Sequence, residues 1–241
     1  MLSRRNLLKG TGIAAGALAL GGVTNLFGIR KSFAQDMAPD DDVQTILNLA
    51  STAELFATTH YLAAINGAAD LGLDEVQVKY LKNGFLAEQD HLELLMSLGA
   101  VPVVTEFYVP ETLFSDKELF STITEVAETT FVGAYLAATR IFATAGETAF
   151  AVTTAQIAAV EAEHRALARQ IGGRIANNLP YAQYIYHNVS DAVPTLQPFL
   201  DGSGDGFVGP VAPPTEDQIA EIRAQAEELE YDSSVLPFAA M

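Results

Sequence analysis

Two stretches decide the reading of this chain: AEQDHLELL (87–95) and AAVEAEHRALA (158–168). The first holds Glu88-Gln89-Asp90-His91 and the second Glu161-Ala162-Glu163-His164, each a Glu-x-x-His. On a helix, positions i and i+3 project from one face, so one carboxylate and one imidazole can meet the same ion. Each pair has an upstream carboxylate: Glu54 lies 34 residues before Glu88, and Glu128 lies 33 before Glu161. Suppose each stretch is the returning arm of an antiparallel helix hairpin. With turns near 72–73 and 146, Glu54 and Glu128 each stand 18 residues before the turn. Glu88 and His91 stand 16 and 18 after the first, and Glu161 and His164 stand 15 and 18 after the second. At about 1.5 Å per residue all six side chains fall within about one helical turn in height. The offsets between hairpins are nearly constant: 54 to 128 is 74, 88 to 161 is 73, and 91 to 164 is 73. A solvated charge pattern has no reason to repeat so closely.

The surrounding sequence supports four long helices. Asp40, Asp41 and Asp42 sit where carboxylates meet the free N–H groups of a helix start. The first helix is expected over 43–71, with Ile46, Leu47, Leu49, Ala50 and Ala53 at helical spacing. Gly72 breaks it, and Asp74 caps a second helix over 75–98 that Gly99 stops. Residues 100–115 carry two prolines and β-branched residues. They read as an extended connection long enough to cross a bundle end to end. Further helices follow over 116–145 and 148–176, with Gly146 at the turn between them. Hairpin, long crossover, hairpin is the connectivity of a ferritin-like antiparallel four-helix bundle. The all-α bundle is assigned to 35–180. Residues 181–241 form a Pro/Gly-rich C-terminal extension, read as a strap packing on the bundle. It contains a late helix over 216–229, opened by Thr215 with Gln218 in capping-box spacing.

Four carboxylates and two imidazoles facing a bundle core cost several kcal/mol each if they are buried without partners. Two divalent metals would neutralise the carboxylates and take the imidazoles as neutral ligands. Mixed O/N ligation suits Fe or Mn, and Zn less specifically. The competing reading is a polar seam of buried Glu–His pairs without metal.

Together with LNLASTAELFATTHYLAA (47–64) and AETTFVGAYLAA (127–138), these stretches resemble ferritin-like domain proteins of the rubrerythrin and desiccation-related type. The likeness spans all four helices of 43–176 and does not include the tail. It implies two Fe ions, with Mn or a mixed pair as alternatives. Glu54 and His91 would bind one ion, Glu128 and His164 the other, and Glu88 and Glu161 would bridge both. Two functions are compatible with it. One is a di-iron oxidoreductase, peroxidase-like, acting on peroxide or dioxygen in oxidative stress or metal handling. The other is a non-catalytic metal-binding or desiccation-protective bundle. With no Cys the chain cannot carry a rubredoxin-type donor, so electrons would come from another protein. A storage cage fits less well, because such subunits end in a short fifth helix rather than a long Pro/Gly-rich segment. A homodimer is the expected assembly.

Other polar residues carry weaker signals. Tyr61 and Tyr135 follow Glu54 and Glu128 by seven residues each. They would either hydrogen-bond to ligands or fill the core. Glu125 lies one turn from Glu128 and reads as surface charge or a substitute ligand. Asp90, Glu93 and Glu163 read as solvated, and His60 and His187 as ordinary polar histidines.

Composition agrees with a buried core and excludes several chemistries. Of the 241 residues 49% are hydrophobic. The absence of Cys excludes disulfides, thiolate metal sites, Cys nucleophiles and iron–sulfur clusters. Residues 1–34 hold five of the 13 basic residues and no acid. The rest carries 8 basic against 30 acidic residues, a net of −22. Such a body argues against nucleic acid or anionic lipid as a partner and suits cations. Ser3-Arg4-Arg5-Asn6-Leu7-Leu8-Lys9, a weakly apolar run from Thr11 to Gly28, and Ser32-Phe33-Ala34 together resemble a twin-arginine (Tat) signal peptide over 1–34. An uncleaved membrane anchor is the alternative. The signal implies export to the periplasm of an already folded protein. Lysines in place of Arg4 and Arg5 should block export, and N-terminal sequencing of the exported protein should begin at Gln35.

Overall fold

A computed structural model describes residues 39–240, so the candidate signal peptide lies outside the described residues. The protein is mostly helical. Four long helices run Val43–Asn66 (α1), Glu75–Ser97 (α2), Lys117–Ala145 (α3) and Thr148–Ile171 (α4). No described helix is long and apolar enough to cross a membrane. Local chemistry sets the helix ends. Asp42 accepts from the Thr45 N–H, and Asp74 with Gln77 forms a reciprocal capping box. Gly146 closes α3 in the left-handed conformation, φ 82°.

Three helices are shorter than their sequence patterns. α1 ends at Asn66, not 71, and is followed by Gly67, where the Phe114 carbonyl oxygen lies 2.8 Å from where a Cβ would sit. α4 ends at Ile171, not 176. Gly172 lies against the Ser121 side chain, and Gly173 takes φ 69°, a conformation that favours glycine. The late helix runs only Glu216–Arg223 (α6) before irregular turns.

The crossover runs beside α1. Asn48 accepts from the Val101 N–H and Thr52 from the Val103 N–H; farther on, Phe107 packs on Phe56. Its end forms a strand, Phe107–Pro110 (β1), which pairs antiparallel with Phe207–Val211 (β2). Neither strand was expected from the sequence. Residues after Ile171 touch the bundle on several sides. Arg174 bonds to Ser121 and Thr122 on α3, and Arg140 to the His187 carbonyl. Val193–Asp201 (α5) covers the crossover side. Lys82 and Asn83 on α2 reach Gln225 and the Leu229 carbonyl, and the Ala239 N–H reaches Thr153 on α4.

His60 lies in this packing, away from the centre described below. It is buried, stacks on Phe120 at 5.3 Å, and shares a 2.8 Å hydrogen bond with Thr124 through Nε2. Burial lowers its pKa from 6.5 to about 4. The folded state therefore excludes a proton that the unfolded chain accepts, and stability is lost as pH falls from about 6.5 to about 4. Glutamine cannot titrate. Relative to His60→Gln, the wild type should lose about 2–3 kcal/mol between pH 7 and pH 4.5, read by urea unfolding of metal-free protein.

Candidate metal centre

Each long helix places at least one carboxylate in the core, with Glu54 on α1, Glu88 on α2, Glu128 on α3 and Glu161 on α4. None is more than 2% exposed. His91 and His164, one turn beyond Glu88 and Glu161, complete the set. Two overlapping groups result: Glu54, Glu88, His91 and Glu161, and Glu88, Glu128, Glu161 and His164. Within each group the potential ligand atoms lie within 4.8 Å of one another, and Glu88 and Glu161 belong to both. All six side chains singled out in the sequence are thus brought together.

One contact within the cluster is a hydrogen bond, between His164 Nδ1 and Glu161 Oε2 at 3.2 Å, and the others are close but poorly shaped for one. Nδ1 of His91 faces Glu161 at 3.3 Å, Glu88 at 3.5 Å and Glu54 at 3.6 Å, yet makes no hydrogen bond. Nδ1 of His164 stands 2.8 Å from Glu88 Oε1, which still lacks a properly directed donor. Glu54 Oε2, both oxygens of Glu88, Glu128 Oε2 and Glu161 Oε1 are likewise buried without a hydrogen-bond partner. Orphaned buried oxygens of this kind are costly. Atoms that crowd together without pointing along one another's donor axes fit ions placed between them. Their donor set, carboxylate oxygen with imidazole nitrogen, suits Fe, Mn or Zn.

Two tyrosines support the carboxylates, each across the hairpin boundary. Tyr61 on α1 donates to Glu128 Oε1 at 2.6 Å, and Tyr135 on α3 donates to Glu54 Oε1. Their position seven residues along the same helix as Glu54 and Glu128 marked the face but not the partner. Burial, then the charge of Glu128 for Tyr61 and of Glu54 for Tyr135, pushes both phenols well above their ordinary pKa and keeps them neutral donors.

The remaining candidates lie elsewhere. Glu125 is neither surface charge nor part of the cluster. Its carboxylate is only 17% exposed and meets Arg165 at 3.1 Å, Arg169 at 2.5 Å and Arg174 at 3.1 Å. Asp90 is half-buried and accepts from Arg223 and Tyr231, each at 2.7 Å, so it ties the tail to α2. Glu93 pairs with Arg223, Glu163 is exposed, and His187 faces Asp40 at 3.3 Å.

The family model described as a ferritin-like domain matches residues 41–174, more than half of the chain. The chain belongs to that family. No curated protein and no solved structure matches it. The matched residues contain all four helices and all six clustered side chains of the ferritin-like domain, and they stop before the tail.

Without metal, protons must balance the cluster. Burial, then repulsion from Glu88 and Glu161, holds Glu54 and Glu128 well above the ordinary carboxylate value. Burial pulls the histidines down, but the surrounding carboxylates outweigh it. Glu161 and Glu54 hold His91 well above the usual imidazole value, and Glu88 and Glu161 do the same for His164. Burial would raise Glu88, but His164 and the bonds around it hold it well below 4.5. The contribution of Glu88 to stability is therefore complete above that pH, and only the raised groups titrate at higher pH. They bind protons more tightly folded than unfolded, so metal-free protein should lose stability as pH rises above about 6.5, by about 1.4 kcal/mol per pH unit for each proton retained only in the fold. Denaturation midpoints at pH 6.5, 7.5 and 8.5 check this. Added ferrous or manganous ion should abolish the fall and release protons as it binds.

Proposed function

We propose that this ferritin-like domain holds two metal ions, Fe or Mn, and reduces peroxide or dioxygen as an exported periplasmic protein. The observation that carries the reading is the set of orphaned carboxylate oxygens in two groups sharing Glu88 and Glu161. Glu54 and His91 would hold one ion, Glu128 and His164 the other, and Glu88 and Glu161 both. Four carboxylates against two divalent ions give a neutral core, as protons on Glu54, Glu128, His91 and His164 do without them. When bound, a ferrous pair would supply two electrons, taking hydrogen peroxide and two protons to two waters, or dioxygen and two protons to hydrogen peroxide.

The chain's own residues set the conditions for that chemistry. Tyr61 and Tyr135 orient Glu128 and Glu54 by bonding Oε1 of each, which leaves Oε2 of each without a hydrogen-bond partner and would offer it to an ion. Burial of all four carboxylates excludes bulk water and strengthens the field around the ions. His91, with its side chain 13% exposed, is the least buried of the six. Electrons to restore the ferrous state come from a separate donor, because the chain has no thiol to carry its own. Assembly as a homodimer belongs to this proposal.

Purified protein should contain about two Fe or Mn ions per chain, and ferrous protein should oxidise faster than free ferrous ion. His91→Ala and Glu161→Ala should lose the metal yet keep their helices by circular dichroism, since the apolar packing is untouched. Stoichiometric metal with no acceleration would leave a binding or protective bundle. Absence of metal from wild type and variants alike would remove the proposal.

A further inference from the structure

The ligand set is nearly duplicated, but the space behind its two ends is not. Behind Tyr61, a cavity bounded by Thr124, His164 and Ala168 measures about 10 Å³, roughly the room for one water. Behind Tyr135, between α1, α3 and α5, lies a cavity of about 50 Å³. Ala53, Phe131, Ala134 and Leu196 wall it, and half-buried Leu49 and Val193 stand at its edge. Its two polar contributors are Thr52 and Tyr135. Thr52 Oγ1 donates to the Asn48 carbonyl and accepts from the Val103 N–H. The Tyr135 hydroxyl donates to Glu54. A water needs two to four polar partners, and this cavity has no such set to offer. Apolar cavities of this kind stay dry and take up small apolar molecules. Tyr135 is one of its lining residues, and its hydroxyl donates to Glu54 of the candidate centre.

We propose that this cavity is the binding site and entry route of dioxygen, which reaches the centre at its Glu54 end past Tyr135. The inference rests on the two-metal reading above and narrows it. The oxidant admitted here is a small, uncharged, apolar molecule, whereas peroxide needs hydrogen-bond partners along its path. The oxidation it feeds is the two-electron reduction of dioxygen to hydrogen peroxide already written, with electrons from the ferrous pair and two protons from solvent.

Xenon tests the cavity independently of metal. Metal-free protein under xenon pressure should show bound xenon beside Ala134, by crystallography or by methyl shifts in NMR, and Ala134→Leu should abolish it. In ferrous-loaded protein, Ala134→Leu should slow oxidation by dioxygen about tenfold and change oxidation by hydrogen peroxide by less than about twofold. Ala53→Val narrows the same cavity by less and should give a smaller effect with the same selectivity, should Ala134→Leu fold poorly. If ferrous protein reacts but xenon does not bind, or both oxidants slow equally, the route is wrong and the two-metal reading stands. If xenon binds but the protein takes up no metal, the two-metal reading fails and the route falls with it.

Discussion

Four carboxylates that water does not reach set the terms for the rest of the molecule. Glu54, Glu88, Glu128 and Glu161 come from four different helices and meet where the surrounding packing leaves no solvent to dilute their charge. Left ionised and alone they would drive the helices apart. The protein answers in layers. Two imidazoles stand among them, two tyrosine hydroxyls hold one oxygen each of Glu54 and Glu128, and apolar clusters close the helices above and below. What remains is a cluster that must bind cations, either protons or metal ions. The fold thus couples its own stability to the contents of its core.

The tail braces the same bundle from outside. Residues beyond 174 lie outside the matched family segment, yet they bond to α2, α3 and α4 and, through β2, to the crossover. The Glu125 cluster has the same logic. Arg165 and Arg169 come from α4 and Arg174 from the segment that follows, and all three close on one carboxylate of α3. These are three of only eight basic residues beyond position 34, so much of the scarce positive charge is spent on fastening α3 to α4.

Much of this was legible in the sequence, and the part that was not has a common cause. Asp42, Asp74, Gly99, Gly146 and Thr215 act through neighbours three or four residues away, and their pattern marked the helix ends they cap. The shared height of Glu54, Glu88, His91, Glu128, Glu161 and His164 followed from helical rise and turn position, so their grouping could be read as well. What escaped depends on contacts between distant segments. Ser121 and Phe114 crowd Gly172 and Gly67 just past the ends of α4 and α1, and neither is near those ends in sequence. β1 and β2 are about a hundred residues apart, so the extended reading of 100–115 carried no sign of its partner. The partner of each tyrosine, and the three arginines on Glu125, lie on other helices or beyond them.

The exchange of tyrosines has a consequence for how such a molecule can be divided. Neither hairpin completes its own half of the centre, because the hydroxyl that steadies Glu54 comes from α3 and the one that steadies Glu128 comes from α1. A contact in which residue i of one unit meets j of the other, while j of the first meets i of the second, is the signature of an isologous two-fold pair. Here that pairing is made inside one chain, between halves 73 to 74 residues apart. A single hairpin bearing one Glu, one Tyr and one Glu-x-x-His could satisfy the same contacts only by docking against a second copy of itself. The bundle is, in its contacts, a homodimer whose subunits have been joined end to end by the crossover.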